Sequence, residues 1–147
     1  MLVTQKCQYA LRALFSLAHR TGPEGPVKIA LIAEEQDIPI RFLEVILGQL
    51  KQSGFVESRR GTEGGYQLAR PAEEITVGDI VRCIDGPIHI PQVQEVSANP
   101  NPYHDFFEGI WQQAQVVVFE YFDSQTLAEL VRQAQTRRLS FVPYYEI

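Results

Sequence analysis

A chain of 147 residues with 45% hydrophobic and 21% charged side chains has room for one domain, or one domain with an appended arm, and is too apolar to stay disordered. No apolar run approaches the roughly 18 residues of a membrane span. Two cysteines make no disulfide framework, so a cytoplasmic, reducing home is expected. The net charge of −5 conceals an asymmetry: residues 1–72 hold nine Lys/Arg against seven Asp/Glu, and residues 73–147 hold four against eleven. That balance argues against indiscriminate nucleic-acid binding and leaves room for a local basic surface at the front.

The opening stretch MLVTQKCQYALRALFSLAH superficially resembles a targeting segment. Lys6, Gln8 and Arg12 interrupt its apolar pattern and no small-residue cleavage site follows, so none is expected. Its periodicity predicts a helix over 5–19, capped by Thr4, with Cys7, Leu11, Leu14 and Ala18 on the buried face. Gly22, Pro23, Gly25 and Pro26 form a loop. A short helix over 29–35 turns Ile29, Ile32 and Ala33 inward, and Gln36 to Pro39 make a turn. The next helix spans 40–53 and stops at Gly54. It carries an apolar stripe of Phe42, Leu43, Ile46, Leu47 and Leu50 and an opposite polar stripe of Arg41, Glu44, Gly48 and Lys51. A glycine inside a helix costs about 1 kcal/mol against alanine, so Gly48 marks a place where another surface comes close.

Two alternating runs, 55–59 and 66–70, flank a glycine-rich tip at 60–65 and predict a β-hairpin ended by Pro71. Thr76 and Asp79 form a capping box for a helix over 77–84. Residues 85–102 hold four prolines and no helical period, which predicts a linker or a long functional loop. A long helix over 103–122 follows, about 30 Å in length. Its Phe107, Trp111, Ala114, Val118 and Tyr121 recur at steps of four, three, four and three, as in a coiled-coil seam, and Phe106, Ile110 and Val117 widen that face. This is more apolar surface than one short domain easily covers. A last helix starts at Thr126 and runs to about Thr136, and the apolar tail LSFVPYYEI docks elsewhere.

Helix, helix, turn, helix and hairpin in that order make a winged helix-turn-helix. The expected fold is mostly α with a small β-hairpin: a DNA-binding domain over 1–84, a loop over 85–102, and a long helix with a C-terminal helix and tail over 103–147. In such modules the second helix of the pair enters the major groove. Arg41 could donate twice to a guanine edge, Glu44 could accept from cytosine N4, and Lys51 would meet phosphate. The wing, with Arg59, Arg60, Gly61, Gly64, Gly65 and Tyr66, brings positive charge to a minor groove or backbone, its glycines allowing sharp turns and close approach. Thr4, Gln5 and Lys6 lie where free N–H groups at a helix start hold an anion. A glycine-rich hairpin alone is commonly just a turn, and a polar stripe alone just a solvated face. In winged-helix order, together, they point to double-stranded DNA. The competing reading is a winged-helix protein-interaction module without specific DNA binding; the basic wing tip and the Arg41/Lys51 stripe discriminate against it. No catalytic motif is present, so no enzyme is expected.

The segments MLVTQKCQYALRALFSLA, IAEEQDIPIRFLEVILGQL, SGFVESRRGTEGGYQLARP and ITVGDIVRCIDG resemble the IscR/NsrR/CymR family of bacterial winged-helix regulators. The resemblance runs from residue 1 to about 86 and returns more weakly at 111–131; RG-x-x-GGY-x-LAR is its most specific motif. It implies a homodimer whose long helix crosses to the partner subunit, repressing or activating at palindromic promoter sites. Carried over by position, it implies that Arg41 and Glu44 read bases, that Arg60 enters the minor groove, and that Thr4, Gln5 and Lys6 hold phosphate.

Members that sense iron–sulfur status keep three cysteines in the loop before the long helix. Here residues 85–103 have none, so the standard cluster site is missing and the cofactor is open. Three readings compete. The chain senses without a cluster, alone or through a partner protein; or Cys7 of one subunit and His104 of the other hold an unusual cluster or metal, with His89 a further conceivable ligand; or Cys7 is a redox-sensitive thiol. Against the last two stands the position of Cys7 on an apolar helix face, where a free cysteine is commonly a small buried hydrophobe. The signal is accordingly expected to be redox state, iron–sulfur status or a metabolite.

Overall fold

The computed structural model describes residues 3–20, 25–87 and 103–140, without the side chains of 104, 105, 139 and 140. Six helices and one hairpin follow in chain order: α1 Gln5–His19, α2 Ile29–Gln36, α3 Ile40–Gln52, β1 Val56–Arg59, β2 Gly65–Leu68, a single 3₁₀ turn Ala72–Glu74, α4 Val77–Asp85, α5 His104–Ser124 and α6 Leu127–Ser140. This is a winged helix-turn-helix with a long helix appended. The tail after residue 140 and most of the 85–102 loop lie outside the described residues.

Helix α1 is the central post. Thr4 caps it, its hydroxyl accepting from Cys7 N–H at 3.2 Å, and α2, α3, α4 and α6 all pack around it. Cys7, Ala10, Leu14 and Leu17 of α1 meet Ile32 of α2, Leu43, Ile46, Leu47 and Leu50 of α3, Ile80 and Val81 of α4 and Leu127 of α6 in one buried core. Asp37, in left-handed geometry with φ 51°, closes α2 and turns the chain into α3.

The inward stripe of α3 is narrower than its sequence predicts. Leu43, Ile46, Leu47 and Leu50 are buried, but Phe42 is 57% exposed. The four buried residues follow the i, i+3, i+4, i+7 row and fill it. Phe42, one residue and about 100° before Leu43, lies off that row.

The hairpin pairs Val56 with Leu68 through Arg59 with Gly65. The strands are shorter than the predicted 55–59 and 66–70, because the β2 side hands over at Ala69 to a bond with Phe55. Val27 adds a one-residue bridge: its N–H and carbonyl exchange bonds with Tyr66, each 2.8 Å. The wing is therefore pinned to the loop ahead of α2 as well as to itself.

A second seam joins α4 to the α5–α6 elbow. Val77 N–H donates to the Gln125 carbonyl at 2.8 Å and Leu127 N–H to the Ile75 carbonyl at 2.9 Å. Thr76 and Asp79 complete the predicted capping box. Burial raises the Asp79 carboxyl, but bonds from Thr76 and Arg82 outweigh it and hold the group below the usual carboxylate range. Arg82 bridges Asp79 at 3.2 Å and Asp123 at 2.7 Å. A Cβ on Gly78 would meet the Asp123 carboxylate, so a side chain there would have to displace it from Arg82.

Candidate nucleic-acid interface

Side-chain bonds link three elements: the start of α1, helix α3 and the wing. Helix α3 is held from three sides. Lys6 Nζ donates to Gln49 Oε1 at 2.6 Å, Gln49 Nε2 donates to the Cys83 carbonyl at 3.0 Å, and Lys51 Nζ donates to Ser58 Oγ at 2.6 Å. Lys6 and Lys51, both expected at phosphates, thus also brace α3 against α1, α4 and the wing, while their ammonium groups stay at the surface. Between these braces Arg41, Glu44 and Gly48 are exposed. The side chains of Arg41, Glu44, Arg59 and Arg60 make no hydrogen bond or ion pair among the described residues. A Cβ on Gly48 would meet nothing within 4 Å, so packing inside this chain does not require a glycine there.

The wing glycines divide into two kinds. Gly65, at φ 150°, faces the Val27 carbonyl so closely that a Cβ would strike backbone, and a Cβ on Gly64 would strike the Arg59 carbonyl. These two serve the sharp turn and the Val27 bridge. Gly61, at φ 105°, opens onto empty space and leaves the chain free to approach phosphate. Tyr66 is half-buried, tied by its backbone to Val27 and packed on the core.

Thr4 is also placed differently from its expected role. Its N–H donates to Asp85 Oδ2 at 2.9 Å and its hydroxyl donates to Asp85 Oδ1. A carboxylate of the chain itself holds the donors assigned to phosphate, and the N–H groups of Gln5 and Lys6 are the ones left toward the outside. Sequence reasoning missed Asp85; no local pattern links two residues 81 apart. It also missed the outward apolar pair of α3, Phe42 and Val45, which stand together along one edge of the polar stripe.

Along α5 the predicted seam residues Phe107, Trp111, Ala114 and Tyr121 are exposed and Val118 is half-buried. Phe106, Ile110 and Val117 extend the exposed apolar band, and Val116 is exposed on the far side of the helix. The groove along it is lined by Phe106, Ile110, Ala114, Val117 and Val118.

The described part of the proposed sensor is plain. Cys7 is fully buried, and burial first, then Asp85 and Cys83, push its thiol up to about 12. A thiol so disfavoured as thiolate is a poor nucleophile and a poor metal ligand, which weighs against Cys7 as redox sensor or cluster ligand. Cys83 Sγ donates to Ser53 Oγ at 3.2 Å. His89 and the His104 side chain lie outside the described residues. Among the described residues no three His, Cys, Asp or Glu side chains gather as a metal site, and no helix is long and apolar enough to cross a membrane.

Against this geometry, known proteins give a consistent match. Residues 3–133 match the family model Rrf2, described as an iron-dependent transcriptional regulator. The HTH-type transcriptional regulator CymR of Bacillus subtilis is 31% identical over 98% of this chain and 99% of its own length. Protein rrf2 of Nitratidesulfovibrio vulgaris is 34% identical over 91% of this chain and 89% of its own. Among solved structures, CymR, the global cysteine regulator of B. subtilis, superposes with a TM-score of 0.78 at 32% identity, covering 90% of this chain and 98% of that one. T. potens IscR gives 0.77 at 31% identity, covering 99% and 97%. The iron named in the family description finds no fitting set of ligands here among the described residues: one cysteine is sealed in the core and the other is bonded to a serine.

Proposed function

The chain belongs to the Rrf2 family of transcriptional regulators, a DNA-binding family and not one of enzymes, and from that premise we propose that it acts as a homodimer on a palindromic operator. Each α3 lies in a major groove, with Arg41 and Glu44 against base edges. The wing sets Arg60, with Arg59 beside it, into the neighbouring minor groove or against phosphate. Lys51, Gly61 and the N–H groups of Gln5 and Lys6 meet the backbone. Two chains pair through α5, along Phe107, Trp111, Ala114, Val118 and Tyr121. The observation that carries the reading is the exposure of Arg41, Glu44, Arg59 and Arg60, their side chains unpaired among the described residues, in a chain whose other half is acidic. The work site is cytoplasmic. The signal falls among redox state, iron–sulfur status and metabolites, and the cysteine-free 85–103 segment together with the sealed Cys7 favours sensing without a three-cysteine cluster.

The test is a footprint of the chain across its own genome, followed by salt titrations on a protected site. Arg60→Ala is expected to weaken binding and to lower the salt slope by about one. An unchanged affinity and slope would remove the wing from the mechanism, and a genome without protected sites would remove the function.

A further inference from the structure

Phe42 and Val45 pose a question that hydrogen-bonding residues leave open. They are 57% and 64% exposed, and both stand on the helix proposed to read DNA. At about 100° per residue, Val45 falls between Arg41 and Phe42 around the helix axis, in the middle of the arc opposite the buried Leu43, Ile46, Leu47 and Leu50. Gly48 lies on the same arc one further turn along, with nothing near its Cβ position, so no side chain there holds a surface away from Val45. Neither phenylalanine nor valine is a strong helix former, so propensity does not account for them. In water they are a cost; against an apolar group they are a gain.

We propose that Phe42 and Val45 read the 5-methyl groups of thymine in the same half-site whose polar edges Arg41 and Glu44 read. The major groove offers one apolar landmark, the thymine methyl, and it lies in the same plane as the acceptors and donors that an adjacent arginine or glutamate meets. Around the helix the face runs Glu44, Arg41, Val45, Phe42, two charged side chains beside two of hydrocarbon, which matches a groove floor on which a G·C edge neighbours T methyls. The inference rests on the DNA-reading role of α3 and adds to it the base class read by apolar contact.

Deoxyuridine isolates the methyl, because it differs from thymidine by that group alone and leaves base pairing and groove acceptors in place. A consensus duplex is first selected from a random pool by the full-length protein, and its thymines are then replaced singly by deoxyuridine. At one or two positions per half-site, within the bases spanned by α3, binding is expected to weaken about fourfold per methyl, the worth of one buried methyl group. Phe42→Ala and Val45→Ala are each expected to erase the thymine preference at one such position while leaving the preference for the G·C pair contacted by Arg41. If uracil binds as tightly as thymine everywhere, or if the preference survives in both variants, the proposal is overturned; a variant that changes only self-association assigns the patch to protein contact and overturns it too. A pool that yields no enriched duplex at all instead removes the role of α3 on which the proposal rests. Should a variant fail to fold, the comparison of thymine and uracil with the unaltered protein still decides.

Discussion

In α1 to α4 most of the large apolar side chains are under cover: Leu14, Ile32, Leu43, Ile46, Leu47, Leu50 and Ile80 are each less than 2% exposed, and Phe42 and Val45 of α3 are among the exceptions. In α5 the same kinds of residue stand in the open, Phe106 at 68%, Tyr121 at 63% and Trp111 at 49% among them. The first region solves its folding problem within one chain. The second is a well-formed helix whose hydrocarbon face, at roughly 25 cal/mol per Å², has its return elsewhere. The difference separates two kinds of surface: the closed head leaves only scattered apolar side chains such as Phe42 and Val45 outside, and the open arm presents an apolar band along its length.

The sharpest way to break this contrast is to charge the arm. Val118→Glu is expected to convert the dimer to monomer in sedimentation and to weaken operator binding at least a hundredfold by loss of bivalency, while the head keeps its thermal transition. An intact dimer would show that the exposed band of α5 serves another purpose. A smaller effect probes how rigid the head is beside its joint to the arm. Gly65→Ala sets a side chain against the Val27 backbone at φ 150° and is expected to cost about 2–3 kcal/mol in urea unfolding. Gly78→Ala displaces only the movable Asp123 carboxylate and its bond to Arg82, a partly exposed pair, and is expected to cost about 1 kcal/mol or less. Equal losses would mean that the joint is as unyielding as the wing.

The smallest effect is confined to alkaline solution. The Cys7 thiol has its folded-state value raised from 9.0 to about 12. The stabilising consequence is fully present below pH 9 and is lost progressively as the pH climbs toward 12, because the unfolded chain ionises there first. Cys7→Ala should therefore show a shallower decline in unfolding free energy between pH 8 and about pH 10 than the unaltered chain. Parallel curves would mean that Cys7 is not the sealed thiol its position suggests.

Much of the head is legible in the sequence because its information is local. The steps of three and four in α1 and α3, the Thr76/Asp79 box of α4 and the glycine-rich tip each lie within a few residues, and each marks its element. Where the reading went astray, the deciding contact was distant or the local signal was degenerate. Phe42 and Leu43 are adjacent and both apolar, so composition could not tell which one the core would take. Gly64 and Gly65 look alike on paper, and only the approach of Val27, nearly forty positions earlier in the chain, shows that backbone contact claims Gly65. The partnership of Thr4 with Asp85 joins the two ends of the head and leaves no trace in either neighbourhood. Helix α6 runs on past Thr136 to Ser140, a stretch of Arg137, Arg138, Leu139 and Ser140 that holds neither glycine nor proline. The exposed polar residues of α3 and the wing are legible as a list; the outward apolar pair of α3 is not, since an outward phenylalanine reads as core until packing says otherwise.

The joint between α4 and the α5–α6 elbow has a geometric consequence. Two backbone bonds and a doubly paired arginine leave little play between head and stalk. In a paired molecule such a joint works as a caliper, fixing not only how far apart the two heads stand but which side of the double helix each one faces. DNA turns once in about 10.5 base pairs; an insertion of about five between the half-sites would carry one of them round to the far side, where a stiff-jointed protein has no means of following.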